Sequence, residues 1–248
     1  MRVAAIYDIH GNLPALEAVL DDVRQASVDR IVVGGDVIPG PMPREAIAML
    51  LDLDLPVHYI QGNGEREVLA LREGVDTGAV PERFREVMRW VGEQLSPDQA
   101  QRLARWPQTL RLDIAGLGPV LFCHATPRND TDLFTRLTPE DRLLPIFEPV
   151  EEALVICGHT HMPFDRMVGA VRVVNAGSVG MPFCEPGAYW LLLGPGVELR
   201  RTLYDLEAAA DRICATDYPQ AEEFATGNVL HPPSEAQMLE VFERSALR

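Results

Sequence analysis

Short apolar runs separated by amphipathic stretches dominate the first part of the chain. Continuous apolar runs at residues 2–7, 30–34 and 56–60 predict buried strands, since strands covered on both faces lose the alternation of polar and apolar residues. Apolar residues on one stripe predict helices over residues 13–26 and 43–51. Strands that alternate with helices in this way indicate a parallel sheet covered on both faces, and therefore an α/β fold.

The pattern changes after residue 64. Charged segments predict helices at 65–72, 81–95 and 97–105, which we expect to form a small helical cap over one edge of the sheet. Further strands are predicted at 110–114, 120–123, 153–157, 171–175, 188–193 and 197–204, with a helix at 139–147. Because no repeat or linker separates these parts, we predict one domain over residues 1–248. Its cap segment would span 65–106 and its helical tail 206–248.

Polar side chains stand where five of the predicted strands end. They are Asp8 and His10, Asp36, Asn63, His124, and His159 with His161. In open α/β sheets the carboxyl ends of the strands form the edge at which ligands bind. Any one of these short motifs is common by chance. Five strands that end in the same way predict one shared site.

The residue types in this set indicate a metal centre. Carboxylate, amide and imidazole ligands together suit Mn, Fe, Zn or similar divalent ions rather than a metal selected by thiolates. Seven side chains exceed what one catalytic ion binds, because such an ion keeps a position open for water or substrate. Two ions that share a carboxylate fit the number, and two-metal sites act on phosphoryl groups. We therefore expect bound ions to offset the cost of burying Asp8 and His10.

Charge and hydropathy narrow the choice of partner. The chain has 22 basic and 37 acidic residues, a formal net charge of −15, and such a surface repels the phosphate backbone of nucleic acid. This balance favours a small substrate. No apolar run approaches the roughly 18 residues that span a bilayer, and no signal peptide is evident. We expect no membrane contact and a cytoplasmic location, and the oligomeric state stays open.

The order and spelling of the motifs resemble the calcineurin-like metallophosphoesterase superfamily. Its pattern is Asp-x-His, Gly-Asp, Gly-Asn-His-Asp/Glu, a lone His and Gly-His-x-His, and here these stand as "DIH", "GGD", "GNGE", "FCH" and "GHTH". The resemblance runs from Arg2 to about Gly180 and includes "VVNAGSVG". The segment "GDVIPGP" is similar to the short bacterial branch related to diadenosine tetraphosphatases and phosphodiesterases.

The resemblance implies a four-layer α/β/β/α sandwich of two stacked mixed sheets. It implies a dinuclear metal-dependent phosphoesterase in which a hydroxide between the ions attacks phosphodiester or nucleotide-type phosphate esters. Mn is the first choice for both divalent ions, with Fe, Ni or Zn as alternatives. The implied ligands are Asp8, His10 and His161 for the first metal, Asn63, His124 and His159 for the second, and Asp36 as the bridge. Asp36, Asn63 and His124 would be the catalytic residues.

Two positions depart from the family pattern. Gly64 stands where the family usually has a histidine beside the leaving group, and Gln61 where many protein phosphatases have arginine. Gly64 indicates either a missing general acid or a backbone that needs positive φ. Arg66 is either a substitute phosphate clamp or a helix-surface residue. Three other residues suit either substrate contact or packing: Tyr7, Ser178 and Phe183. The alternatives to the phosphoesterase are a catalytically weak member acting as an interaction scaffold, and a nuclease, which the charge disfavours.

Overall fold

The first sheet contains the amino-terminal strand at its centre. The structure, a computed structural model, describes residues 1–244. The five strands of this sheet within that range are β1 Val3–Ile6, β2 Arg30–Val33, β3 Val57–Tyr59, β9 Ala188–Leu193 and β10 Val197–Thr202. They lie in the order β10-β9-β1-β2-β3. Strands β1, β2 and β3 are parallel, whereas β9 is antiparallel to both β1 and β10.

The second sheet is built from the middle of the chain. Its five strands within residues 1–244 are β4 Thr109–Ile114, β5 Gly118–Cys123, β6 Leu154–Cys157, β7 Phe164–Val168 and β8 Val171–Asn175. They lie in the order β4-β5-β6-β8-β7, with β5, β6 and β8 parallel and the two edge strands antiparallel to their neighbours. The sequence pattern missed β7. This edge strand is buried only at its two ends, so it lacks the continuous apolar run of a central strand.

The two sheets stack face to face. One apolar cluster between them combines Val3, Ala5 and Val32 from the first sheet with Phe122 and Ile156 from the second. The opposite face of the first sheet packs against helices α1 Leu13–Gln25 and α2 Pro43–Leu51. The opposite face of the second sheet packs against α6 Glu140–Phe147. The predicted α/β sandwich of two stacked mixed sheets is therefore confirmed.

The remaining helices lie outside this sandwich core. Three follow β3: α3 Asn63–Arg72, α4 Glu82–Gln94 and α5 Pro97–Leu103. After β10 come α7 Leu206–Cys214, α8 Ala221–Phe224, a π-helical segment Ala225–Leu230 and α9 Glu235–Glu243. The two groups touch, since Trp90 of α4 packs edge-on against Tyr218 with ring centroids 5.4 Å apart.

The division into one domain with a cap and a tail stays a prediction. Residues 245–248 of the predicted tail lie outside the described residues. Within residues 1–244 every helix is too short or too polar to cross a bilayer.

Candidate metal centre

The two sheets bring all seven predicted ligand residues to one edge. The first sheet contributes four of them after β1, β2 and β3, and the second contributes three after β5 and β6. His161 Nε2 lies 3.5 Å from Asp8 Oδ1, and His124 Nε2 lies 3.9 Å from the same oxygen. The site is therefore formed between the sheets, and either sheet alone would hold an incomplete set.

Five of the seven side chains are close enough to share ions. Ligand atoms within 4.8 Å of one another occur in two groups among the described residues, Asp8 with His10 and His161, and Asp8 with Asp36 and His124. Asp36 belongs to the second group and also approaches the first, since its Oδ2 lies 3.7 Å from His124 Nε2 and 3.9 Å from His10 Nε2.

Asn63 and His159 both lie beside His124. Asn63 Oδ1 is 3.1 Å from His124 Nε2. His159 lies outside both groups, and its ring packs edge-on against that of His124 with centroids 5.1 Å apart.

Three histidines are held in one tautomer by backbone carbonyls. Nδ1 of His10 lies 2.9 Å from the Pro39 oxygen, Nδ1 of His124 lies 2.9 Å from the Gly34 oxygen, and Nδ1 of His161 lies 2.8 Å from the Met181 oxygen. A carbonyl only accepts, so each Nδ1 carries the hydrogen and each neutral ring directs its Nε2 lone pair into the site. This arrangement is typical of histidines that bind metals.

The groups around these lone pairs fit divalent cations. Nε2 of His10 lies only 3.1 Å from Nε2 of His161, so two acceptors face each other. His124 Nε2 likewise faces the oxygens of Asn63, Asp36 and Asp8. Asp8 Oδ1 is buried without a hydrogen-bond partner among the described residues. Acceptors brought together in this way need a cation between them, and this donor set suits Mn, Fe or Zn.

The same edge concentrates backbone strain. Six non-glycine residues within residues 1–244 adopt a left-handed φ, and five of them are candidate ligands: Asp8, His10, Asp36, His159 and His161. Such conformations cost roughly 1–3 kcal/mol each and persist where the surrounding structure enforces them, commonly at functional sites.

Burial and neighbouring charges shift the pKa values of the candidate ligands. Burial lowers the pKa of His10 and brings that of His159 to about 4, and a neighbouring histidine adds to each shift. Burial also lowers the pKa of His124, but the carboxylates of Asp36 and Asp8 outweigh it and leave this pKa above the usual value. Burial opposes ionisation of Asp8, yet the three surrounding histidines hold its pKa below the usual range.

Glu65 is a buried residue whose role the sequence analysis did not assign. Its carboxylate accepts hydrogen bonds from the amides of Asp36 at 2.8 Å, Val37 at 2.7 Å and Gly62 at 2.9 Å. Burial and the Asp36 carboxylate raise its pKa to about 7. It ties the loop after β2 to the start of α3 and so positions Asp36 and Asn63. The only sequence signal was the acidic residue that ends "GNGE".

Four further residues hold the loops that carry the candidate ligands, and two of them belong to the turn "VVNAGSVG". Ser178 is fully buried and donates its hydroxyl to the Asp8 carbonyl at 2.7 Å. Asn175 donates to the Gly158 carbonyl at 2.6 Å and orients the loop before His159. Tyr7 is buried between the sheets and donates to the Ile156 carbonyl at 3.2 Å. Phe183 stacks on the His161 ring with centroids 4.7 Å apart. All four residues support the site by packing or hydrogen bonding.

The structure explains the glycine at 64 and shows what the neighbouring Arg66 contacts. Gly64 lies in α3 outside the left-handed region, so the expectation of a positive φ is wrong. A Cβ there would stand 2.3 Å from Pro39 Cγ and 2.7 Å from Asp36 Oδ1, which leaves no room for a side chain. Arg66 forms a two-pronged ion pair with Asp130, at 2.8 and 3.0 Å, and also contacts Glu67. Its guanidinium is therefore already engaged by two carboxylates.

Comparisons with known proteins agree with this architecture. The family model for the calcineurin-like phosphoesterase superfamily domain matches residues 1–193. An uncharacterized protein of Methanocaldococcus jannaschii is 26% identical over 242 residues, covering 88% of this chain and 94% of the relative.

Two solved structures share the fold. A hypothetical protein of Pyrococcus horikoshii OT3 superposes with a TM-score of 0.78 at 22% identity, covering 94% of this chain and 99% of its own. A metallophosphoesterase from Sphaerobacter thermophilus superposes with a TM-score of 0.71 at 24% identity, covering 91% and 97%.

Proposed function

The chain belongs to the calcineurin-like phosphoesterase superfamily, and we propose that it is a phosphodiesterase that depends on two divalent metal ions, Mn²⁺ in the first instance. Membership supports a hydrolase acting on phosphate esters. The observation that carries the finer proposal is the convergence of histidine lone pairs and buried carboxylates on one edge, with His10 Nε2 and His161 Nε2 3.1 Å apart. The complete ligand set favours an active enzyme over a scaffold.

The proposed ligands divide between the two ions as the family pattern implies. Asp8, His10 and His161 would hold the first, Asn63, His124 and His159 the second, and Asp36 would contact both. The position of Asp36 Oδ2 between His10 and His124 supports the bridging role. Divalent ions held there would supply Lewis acidity toward phosphoryl oxygens and acidify the attacking water.

The protein's own groups favour direct attack by water over a covalent intermediate. Cys123 and Cys157 are buried, and burial raises the pKa of both thiols, so neither is a nucleophile. The Ser178 hydroxyl is fully buried and bonded to the Asp8 carbonyl. The nearby histidines direct their lone pairs toward the proposed ions. We therefore expect no phosphorylated residue during turnover.

Asn63 and His124 would contact the phosphate as well as the second ion. Their proximity to each other and to Asp36 places an amide, an imidazole and a carboxylate around one small volume. The hydrogen bond from the Gly64 amide to Asp36 Oδ1, 2.7 Å long, orients that carboxylate. Since glycine at 64 offers no proton to a leaving alkoxide, esters with acidic leaving groups should react best.

The test combines metal analysis with hydrolysis of bis(4-nitrophenyl) phosphate. Protein loaded with Mn²⁺ and freed of excess ion should retain about two ions per chain and release nitrophenolate. Asp113→Asn, an exposed carboxylate on edge strand β4, is the matched control for substitutions at Asp36. Absence of bound metal in every divalent buffer would refute the metal centre. Bound metal without hydrolysis would favour the scaffold, and faster cleavage of single-stranded DNA than of small diesters would favour the nuclease.

A further inference from the structure

A cavity of about 430 Å³ opens from the metal-binding edge. It is lined by three candidate ligands, His10, Asp36 and Asn63. Most of its other lining residues come from residues 79–81, from α4, and from the segment 218–228 of the predicted tail. The tail segment lies after residue 193, where the match to the family model ends. This cavity is therefore shaped largely by parts of the chain outside the strand-end motifs.

The walls away from the ligands are mainly apolar. Helix α4 contributes Phe84, Val87 and Met88, whose i, i+3, i+4 spacing places them on one helix face. Tyr218 and Phe224 stand opposite in the lining, and their rings pack edge-on with centroids 6.1 Å apart. Both are buried, as is Val87. Pockets of this volume with apolar walls and a few polar groups are typical small-molecule sites.

The cavity lacks a cationic side chain. No arginine occurs among the described residues that line it, and the whole sequence contains no lysine. Besides the candidate ligand Asp36, two acidic residues line it, Glu67 and Glu223. The Glu67 carboxylate already contacts Arg66 and the Thr77 hydroxyl, whereas Glu223 is exposed. A second anionic group on a ligand would find no counter-charge here, although protein sites for phosphates usually supply arginine or lysine.

We propose that the preferred substrate is a phosphodiester with one negative charge and one apolar organic group of at least aryl size. The apolar group occupies the cavity while the phosphate faces the strand-end side chains. This inference rests on the proposed function and narrows it, because it excludes nucleoside polyphosphates and other multiply charged esters. The walls favour the group by burying its apolar surface, and the acidic lining disfavours a second negative charge.

The first experiment measures binding to the Mn²⁺-loaded protein by calorimetry, with three diesters that share one methyl group. Dimethyl phosphate lacks an aryl group, methyl phenyl phosphate has one, and methyl 4-carboxyphenyl phosphate adds a second negative charge to the aryl ring. We expect methyl phenyl phosphate to bind at least about tenfold more tightly than dimethyl phosphate, in line with the discrimination of apolar pockets. The added carboxylate should remove that gain. Equal affinity for all three, or binding of none, would overturn the inference.

Substitutions in the apolar wall of the cavity test whether this wall causes the preference for the phenyl ester. Phe84→Ala and Met88→Gln should each reduce the preference for the phenyl ester several-fold and leave dimethyl phosphate unchanged. Glu223→Arg should restore binding of the carboxyphenyl ester. Leu203→Ala is the control, since Leu203 is 72% exposed and does not line the cavity. A preference that survives both wall substitutions would overturn the proposed location.

Hydrolysis of methyl 4-nitrophenyl phosphate is measured separately, so the two proposals fail in different ways. Preferential binding of methyl phenyl phosphate without hydrolysis would refute the phosphodiesterase activity but support the proposed class of ligand for the cavity. Hydrolysis combined with equal binding of the methyl and phenyl esters would leave the phosphodiesterase standing and refute the ligand class.

Discussion

The edge that carries the seven candidate ligands and the wall of the adjoining cavity are held in place by different kinds of interaction. At this edge, polar side chains are buried on left-handed backbone, and hydrogen bonds hold the loops. The Glu65 carboxylate alone accepts hydrogen bonds from four backbone amides. The wall consists of side chains such as Val87 and Phe224, which are buried by ordinary packing of helices. Hydrogen bonds fix atoms within narrow limits of distance and angle, whereas apolar packing tolerates exchange of similar volumes.

From this contrast we expect the strand-end side chains to govern the reaction and the cavity wall to govern the choice of substrate. A substitution among the candidate ligands displaces atoms that the proposed reaction needs, so the rate of hydrolysis should fall by a similar factor for every substrate. A change in the wall alters the contact with only one part of the substrate, so the ratio between substrates should change.

Asp36→Asn should have the largest effect. The variant loses the charge of the carboxylate that lies between the two histidine groups, and several kcal/mol of Lewis-acid stabilisation correspond to about 10³-fold in rate. Hydrolysis of the methyl and phenyl diesters should fall by the same factor, and both ions should bind more weakly. Steady-state kinetics and metal analysis beside Asp113→Asn check this. If hydrolysis of only one of the two esters became slower, the effect of Asp36 would depend on the substrate, which would contradict this prediction.

The acidity of the leaving group should have the next largest effect on the rate of hydrolysis. Gly64 offers no proton donor, and a positioned general acid typically contributes 10²–10⁴-fold. Among aryl methyl phosphates of similar size, we expect the rate to drop on the order of 10²-fold from 4-nitrophenolate to phenolate. The measurement is kcat across the series. A flat series, with chemistry shown to limit the rate, would reveal a general acid supplied by another residue.

Glu65→Gln should weaken the edge without touching a ligand. A glutamine side chain has one oxygen, so at least one of the amides of Asp36, Val37 and Gly62 loses its acceptor. An unsatisfied buried donor costs about 1–3 kcal/mol, and loss of such outer support typically weakens metal affinity 10–100-fold. Urea unfolding and Mn²⁺ titration measure the two effects, with exposed Glu93→Gln in α4 as control. Unchanged affinity would show that Glu65 does not position Asp36.

Gly64→Ala should have the smallest effect of the four. The new Cβ would meet Pro39 Cγ at 2.3 Å and Asp36 Oδ1 at 2.7 Å, so the Asp36 carboxylate must shift. We expect a loss of about tenfold in Mn²⁺ affinity, the lower end for misplaced metal ligands. Gly227→Ala is the matched control, because a Cβ there meets nothing within 4 Å. Equal metal affinity in the two variants would contradict the steric reason for glycine at 64.

The sequence pattern predicted the candidate ligands at the strand ends, whereas it gave no indication of the cavity wall. Buried parallel strands appear as continuous apolar runs such as Val3–Ile6, and the polar residues that follow them are conspicuous in the sequence. The partly exposed edge strand Phe164–Val168 lacked that signal and was missed. The role of Glu65 was also missed, since a carboxylate that accepts backbone amides has no sequence pattern of its own.

The sequence by itself determined the α/β class, the strands that end at the site and the seven candidate ligands, because strand periodicity and strand ends are local properties. Tertiary structure decided the rest. The 3.1 Å approach of His10 to His161 joins residues 151 positions apart, and the cavity joins Phe84 to Phe224 across most of the chain. Such distances depend on how two sheets stack and how helices cover them. Packing sets these distances through the summed contacts of many residues, and a local pattern does not encode that sum.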